Sequence, residues 1–124
     1  MIIVDTDVLI EIFDKHSLKG DNAIEKIEQS GEQVAITSVS LLEILYGIYK
    51  YGKNKIPEVE RLETIDFSKE DASLAAKLEL DAEKKGHHLS RTDAMIAAIA
   101  LNKKAKLFTF NTKHFQDIPK LVLV

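Results

Sequence analysis

Short unbroken runs of β-branched and aliphatic residues alternate along this chain with longer stretches in which apolar positions recur every three or four residues. The unbroken runs are Ile2-Ile3-Val4, Val34-Ala35-Ile36-Thr37, Leu107-Phe108-Thr109 and Leu121-Val122-Leu123-Val124, with a weaker one around Glu63 to Asp66. Runs without polar alternation suit strands buried on both faces. Helical periods lie between them, over Val8 to Asp14, Asp21 to Gln29, Ser40 to Tyr51, Lys69 to Lys85 and Thr92 to Asn102. This order predicts an α/β domain with a central, mainly parallel sheet of about five strands flanked by helices. In such sheets ligands collect outside the carboxyl ends of the strands, where the strand order switches direction. Chemistry is therefore to be sought along that edge.

The chain has 124 residues, 45% hydrophobic and 30% charged, which is the size and balance of one domain with an ordinary core. No repeat or Pro/Gly/Ser-rich linker divides it, and its two prolines, Pro57 and Pro119, fall between predicted elements. Residues 1–124 are expected to form a single unit. The absence of cysteine excludes disulfides, thiolate metal sites and a thiol nucleophile. No basic region precedes the first apolar residues, as a signal peptide would require. The longest strongly apolar stretch, Ala94 to Leu101, falls well short of the roughly 20 residues that span a membrane. A soluble, cytoplasmic protein with no membrane partner is expected. A net charge of -3 and a pI near 5.8 argue against a broad basic surface for nucleic acid. Contact with RNA would have to be local, metal-mediated or shared with a second subunit.

Three acids stand at or near the starts of predicted helices, each directed toward the carboxyl edge of the sheet. Asp5 follows Ile2-Ile3-Val4, where a buried charge is costly unless paired, hydrogen-bonded or metal-bound; it either serves such a site or caps the helix beginning near Asp7. Glu43 lies in the first turn of the next helix, where Ser40 and Glu43 have capping-box spacing. Glu43 also projects away from the stripe Leu41, Leu45 and Ile48, with Gly47 one turn later leaving space beside it. Asp93 opens the nearly all-apolar helix Ala94 to Leu101, and Ser90 to Asp93 again has capping-box spacing. Several carboxylates gathered at one edge repel one another unless a cation joins them. Magnesium or manganese suits such oxygen ligands, can activate water and can stabilise charge developing on a phosphodiester.

The blocks Ile3-Val4-Asp5-Thr6-Asp7-Val8-Leu9-Ile10, Ser40-Leu41-Leu42-Glu43-Ile44-Leu45-Tyr46-Gly47, Asp93-Ala94-Met95-Ile96-Ala97-Ala98-Ile99-Ala100 and Leu107-Phe108-Thr109-Phe110-Asn111-Thr112-Lys113-His114-Phe115 occur in this order. Together they resemble the PIN domain of VapC-type toxins over essentially the whole chain. The resemblance implies a metal-dependent endoribonuclease, the toxin of a toxin–antitoxin pair, with a central parallel sheet, a small antitoxin partner, an RNA substrate and a homodimer. It places Asp5, Glu43 and Asp93 as catalytic and metal-binding acids for Mg2+ or Mn2+. Asp5 and Asp93 would bind the principal ion directly, and Glu43 would ligate through water or help deprotonate the attacking water. Thr6 corresponds to a supporting hydroxyl beside the first acid. Many relatives carry Asp where this chain has Asn111, which weakens a second metal site unless Asp7 compensates. Asn111 is otherwise a turn residue, Thr6 a helix-start hydroxyl and Asp7 a solvated helix-start acid.

Two basic clusters are candidates for RNA contact, Lys50, Lys53 and Lys55, and Lys84, Lys85, His87, His88 and Arg91; Arg91 and Lys85 are the leading candidates because their cluster adjoins Asp93. Lysines at helix ends also serve the helix dipole, and adjacent histidines in a loop are commonly just exposed. Leu45, Tyr46, Tyr49 and Tyr51 are candidates for an antitoxin groove, or else for the core or a dimer interface. Three other functions stay open. Asp5-Thr6-Asp7 mimics the nucleophile motif of haloacid dehalogenase-type phosphatases, although Leu9 departs from it. A PIN-like nuclease of RNA processing and a non-catalytic interaction module, whose acids only cap helices, are the others.

Overall fold

The strand Ile2–Val4 (β1) buries all three of its side chains, and the sheet extends from it on both sides. In a computed structural model that describes residues 1–52 and 58–124, β1 is joined by Val34–Thr37 (β2), Glu63–Ile65 (β3) and Lys106–Phe108 (β4). Every pairing is parallel, and the order across the sheet is β3-β2-β1-β4. The chain adds β2 and β3 on one side of β1, then returns to place β4 on the other. The winding direction therefore reverses between β1 and β4, which defines the switch point of the sheet.

Thr6–Leu9 (α1) gives one helical turn that widens into a π-helical turn, Ile10–Asp14. Leu18–Ser30 (α2), Ser38–Lys50 (α3), Lys69–Lys84 (α4), Arg91–Asn102 (α5) and the single turn Thr112–Phe115 (α6) complete the helices, with a 3-10 turn at Glu58–Arg61. Side chains on successive strand residues point to opposite faces, and here both faces are covered. Ile3 and Leu107 pack with Ile96, Ile99 and Phe115 on one face, whereas Ile2, Val4 and Phe108 pack with Val8, Leu9 and Ile36 on the other. Burial on both faces is why the strands read as unbroken apolar runs.

Helix α4 lies against α5 through Ala75, Ala94 and Ala98, whose small side chains let the two approach closely. Asn102 donates to the buried Asp71 at 2.7 Å and fixes their register. No helix among the described residues is long and apolar enough to cross a membrane.

The sheet has four strands among the described residues. Of the expected fifth, Leu121 to Val124, only Leu123 joins, by an isolated bridge to Leu107. The first helix begins at Thr6, and α2 begins at Leu18, capped by Ser17. Helix α3 is capped by Thr37, whose hydroxyl accepts the Ser40 amide at 3.0 Å, so the Ser40–Glu43 spacing does not form its cap. Gly47 has open space where a side chain would stand. Helix α6 is too short to show a period in sequence. Lys53, Lys55 and Pro57 lie outside the described residues.

Candidate functional site

Asp5 emerges at the carboxyl end of β1, facing the end of β4 across the switch point. It is only 5% exposed. Its Oδ1 accepts the Thr6 amide at 2.8 Å, and its Oδ2 accepts the Thr109 hydroxyl at 2.8 Å. One oxygen therefore caps α1 while the other faces the end of β4, so capping does not use up the carboxylate. Burial pushes the Asp5 carboxyl from its ordinary 3.8 up to about 6; the charges of Asp7 and Asp93 push the same way, and the Thr109 and Thr6 donors oppose them. Among the described residues no Lys, Arg or His forms an ion pair with it.

Glu43 is tethered to the same edge through Thr6. The Thr6 hydroxyl lies 2.8 Å from Glu43 Oε1 and 3.0 Å from the buried Ser40 Oγ. Thr6 has one proton, and the charged carboxylate is the stronger acceptor, so that proton goes to Glu43 and Ser40 donates in turn to Thr6. Thr6 is thus more than a helix-start hydroxyl: it joins the first acid's helix to the second acid's.

Asp93 completes only half of a capping box. Its amide bonds to Ser90 Oγ at 3.2 Å, but its carboxylate turns elsewhere, with Oδ2 3.1 Å from His114 Nδ1. Asp7 is half-buried rather than solvated, and its two oxygens accept the amides of Val8 at 2.8 Å and Phe110 at 3.0 Å. It staples the loop after β4 to α1. Burial raises its carboxyl above the ordinary range despite the amides of Phe110, Val8 and Asn111. Both oxygens being so engaged, Asp7 is poorly placed to act as a phosphatase's acid and base. Asn111 occupies the cap position of α6 with no side-chain cap bond; its amide bonds to Thr109 Oγ1 at 3.1 Å and its side chain is exposed.

Arg91 grips Glu79 of α4 through two nitrogens, at 3.1 and 3.0 Å, on the open surface. Lys85 follows α4 and is exposed, as are His87 and His88. Tyr46, Tyr49 and Tyr51 are exposed rather than core, with Lys50 Nζ over the rings of Tyr46 and Tyr51. Thr109 and His114 are contributors that sequence reasoning did not single out. Thr109 offered the same signal as Asp5, a polar residue directly after an apolar run.

The donors fit a hard divalent cation. They are oxygen-only, they include a desolvated carboxylate, and Asp93 bears electrostatically on Asp5. Among the described residues no three His, Asp or Glu side chains lie close enough to enclose an ion by themselves. An ion here would be held by one or two carboxylates and completed by water, as magnesium commonly is.

The family profile described as "PIN domain" matches residues 2–121. The chain belongs to the PIN domain family. Among the relatives of this PIN domain is "Ribonuclease VapC2" of Rickettsia felis, 32% identical over 127 residues that cover 98% of this chain and 94% of the relative. Among solved structures, that of VapBC2 from Rickettsia felis bound to a DNA fragment from their promoter matches with a TM-score of 0.85 at 31% identity, covering 100% of this chain and 98% of the other. A toxin–antitoxin complex from Klebsiella pneumoniae matches with a TM-score of 0.76 at 26% identity, covering 98% and 96%.

Within this PIN domain the Thr109 hydroxyl orients Asp5 and keeps its proton affinity from rising further. Thr109→Val, which preserves shape, is expected to raise the Asp5 pKa and to increase the magnesium concentration needed for half-maximal thermal stabilisation by about tenfold. An unchanged magnesium titration would remove Thr109 from the site.

Proposed function

We propose that this PIN domain is a divalent-metal-dependent endoribonuclease, the toxin of a type II toxin–antitoxin pair, with residues 1–124 as its nuclease domain. The observation that carries this reading is the buried Asp5 carboxylate at the β1/β4 switch point, with no Lys, Arg or His paired to it among the described residues. The Rickettsia felis relative is named a ribonuclease, and solved neighbours are toxin–antitoxin complexes, which supports an RNA substrate and a small antitoxin partner. The exposed Leu42, Tyr46 and Tyr49 of α3, the helix that carries Glu43, offer an apolar face for such a partner or for a second copy in a homodimer. Its place of action is the cytoplasm.

Asp5 and Asp93 would hold Mg2+ or Mn2+, with Glu43 reaching it through water. When bound, the ion supplies positive charge beside the scissile phosphate and makes a nearby water more acidic. Glu43, held by Thr6, takes the proton of the attacking water as a general base. His114 fixes the orientation of Asp93, and Asp7 fixes the loop that carries Thr109 and Asn111.

Purified wild-type and Asp93→Asn proteins incubated with total cellular RNA, in magnesium, manganese or EDTA, test this. Discrete fragments are expected only from wild type with metal. Equal cleavage by folded Asp93→Asn protein, or by wild type in EDTA, overturns the assignment.

A further inference from the structure

Next to Asp93, the end of α4, the turn after it and α6 line a partly open cavity of about 160 Å³. That is the scale of one flat heterocycle rather than of a base pair. Leu78, Leu89 and Ile118 give it an apolar floor, and Lys85, His87, His88 and Lys113 give it a basic rim. His114 is a shared wall: its ring lines the cavity while its Nδ1 meets Asp93 Oδ2 at 3.1 Å. Asp81 and Asp117 also line it, and His87 Nε2 lies 3.9 Å from Asp117 Oδ2.

The two acids offset the two lysines, so the cavity is ill-suited to a bare anion. A nucleotide matches the mixture better. Its base can lie on the apolar floor against imidazole faces, its exocyclic amino groups can donate to the carboxylates, and its phosphate can reach a lysine. Single-stranded RNA is commonly bound in this way, through splayed bases stacked on rings that include histidine. A chain of net charge -3 lacks the excess positive charge to grip RNA by its backbone alone, so local pockets of this kind must carry affinity.

We infer that this cavity is a nucleotide subsite that takes one unpaired RNA base flanking the bond to be cut, the base against His87, His88 and the apolar floor and its phosphate against Lys113. The subsite rests on the nuclease reading for its position relative to the cut, but its binding can be measured without cleavage. Anisotropy of labelled, short, single-stranded homopolymeric RNAs in EDTA is compared for wild type, the double variant His87→Ala/His88→Ala, and Lys113→Ala. All the altered residues are exposed, and melting curves check that the variants fold. Each variant is expected to bind about tenfold more weakly than wild type, with the double variant losing the preference among the four bases. In cleavage, KM rises with kcat nearly unchanged. An abasic residue beside the cut should weaken wild type by a similar factor and the double variant no further.

Wild-type binding by the folded variants, or abasic and histidine losses that multiply independently, overturns the subsite while leaving the nuclease assignment intact. Histidine-dependent binding by a protein that cuts no RNA supports the subsite and removes the nuclease. A wild type that neither binds nor cuts single-stranded RNA removes both.

Discussion

Asp5→Asn protein is expected to fold normally and to cleave RNA more slowly by a factor on the order of 10³. The fold survives because the asparagine carbonyl can still accept the Thr6 amide, and its amino group can donate to the Thr109 hydroxyl oxygen, replacing both native bonds. What is lost is the negative charge with which Asp5 is proposed to hold the cation.

The same substitution should reveal itself in stability without any RNA. Folding lifts the Asp5 carboxyl from 3.8 to about 6, so the native state binds its proton more tightly than the unfolded chain does. The resulting stabilisation, about 3 kcal/mol for a shift of this size, is fully present below pH 3.8 and is lost as pH rises through about 6. In EDTA, wild type should therefore lose stability relative to Asp5→Asn between about pH 4 and pH 7. Urea unfolding of both proteins across that range measures the difference, in which the remaining titrating groups largely cancel. A difference flat with pH would show that Asp5 is not desolvated as described. Adding magnesium should stabilise wild type most above pH 6, where its carboxylate is charged.

Gly20→Val should be the most damaging single change to the fold away from the site. A Cβ at Gly20 would press on the carbonyl oxygen of Glu11 and come within 2.6 Å of its carbonyl carbon and 2.9 Å of the Ile12 nitrogen. These are backbone atoms of the π-helical turn and cannot swing aside as a side chain would. Either α2 lifts off that turn or the turn rewinds, at a cost of about 3 kcal/mol or more, and the melting temperature should fall by roughly 10 °C. Gly47→Ala is the matched control: nothing stands within 4 Å of the added methyl, and the exchange should gain up to about 1 kcal/mol of helix stability. Equal effects at the two glycines would contradict the close approach of α2 to the π-turn.

The contrast between those glycines shows where sequence reasoning reaches and where it stops. Gly20 looks like a helix boundary because glycine weakens helices, yet it lies inside α2 for the sake of a neighbour that local pattern cannot reveal. The strands were legible because burial on both faces removes polar alternation, and the place of Asp5 at the carboxyl end of β1 followed from the apolar run before it. The cap of α3 is not legible locally, because Thr37, Ser40 and Glu43 form two overlapping pairs with the same spacing, and only the three-dimensional register decides between them. Asp7 and His114 act through partners 103 and 21 positions away. A local pattern has no access to contacts of that kind. The short α6 escaped because one turn carries no period.

The link between Asp5 and Thr109 spans 104 positions, and it joins the first strand to the last. During synthesis, domains form as the chain emerges, and long-range pairings close last because their loop entropy must be met first. A ribosome-bound chain ending before Lys106 would carry all three acids yet lack β4, the hydroxyl on Asp5 and the imidazole on Asp93. Only once β4 has emerged and paired with β1 are Asp5 and Asp93 held by their partners as described.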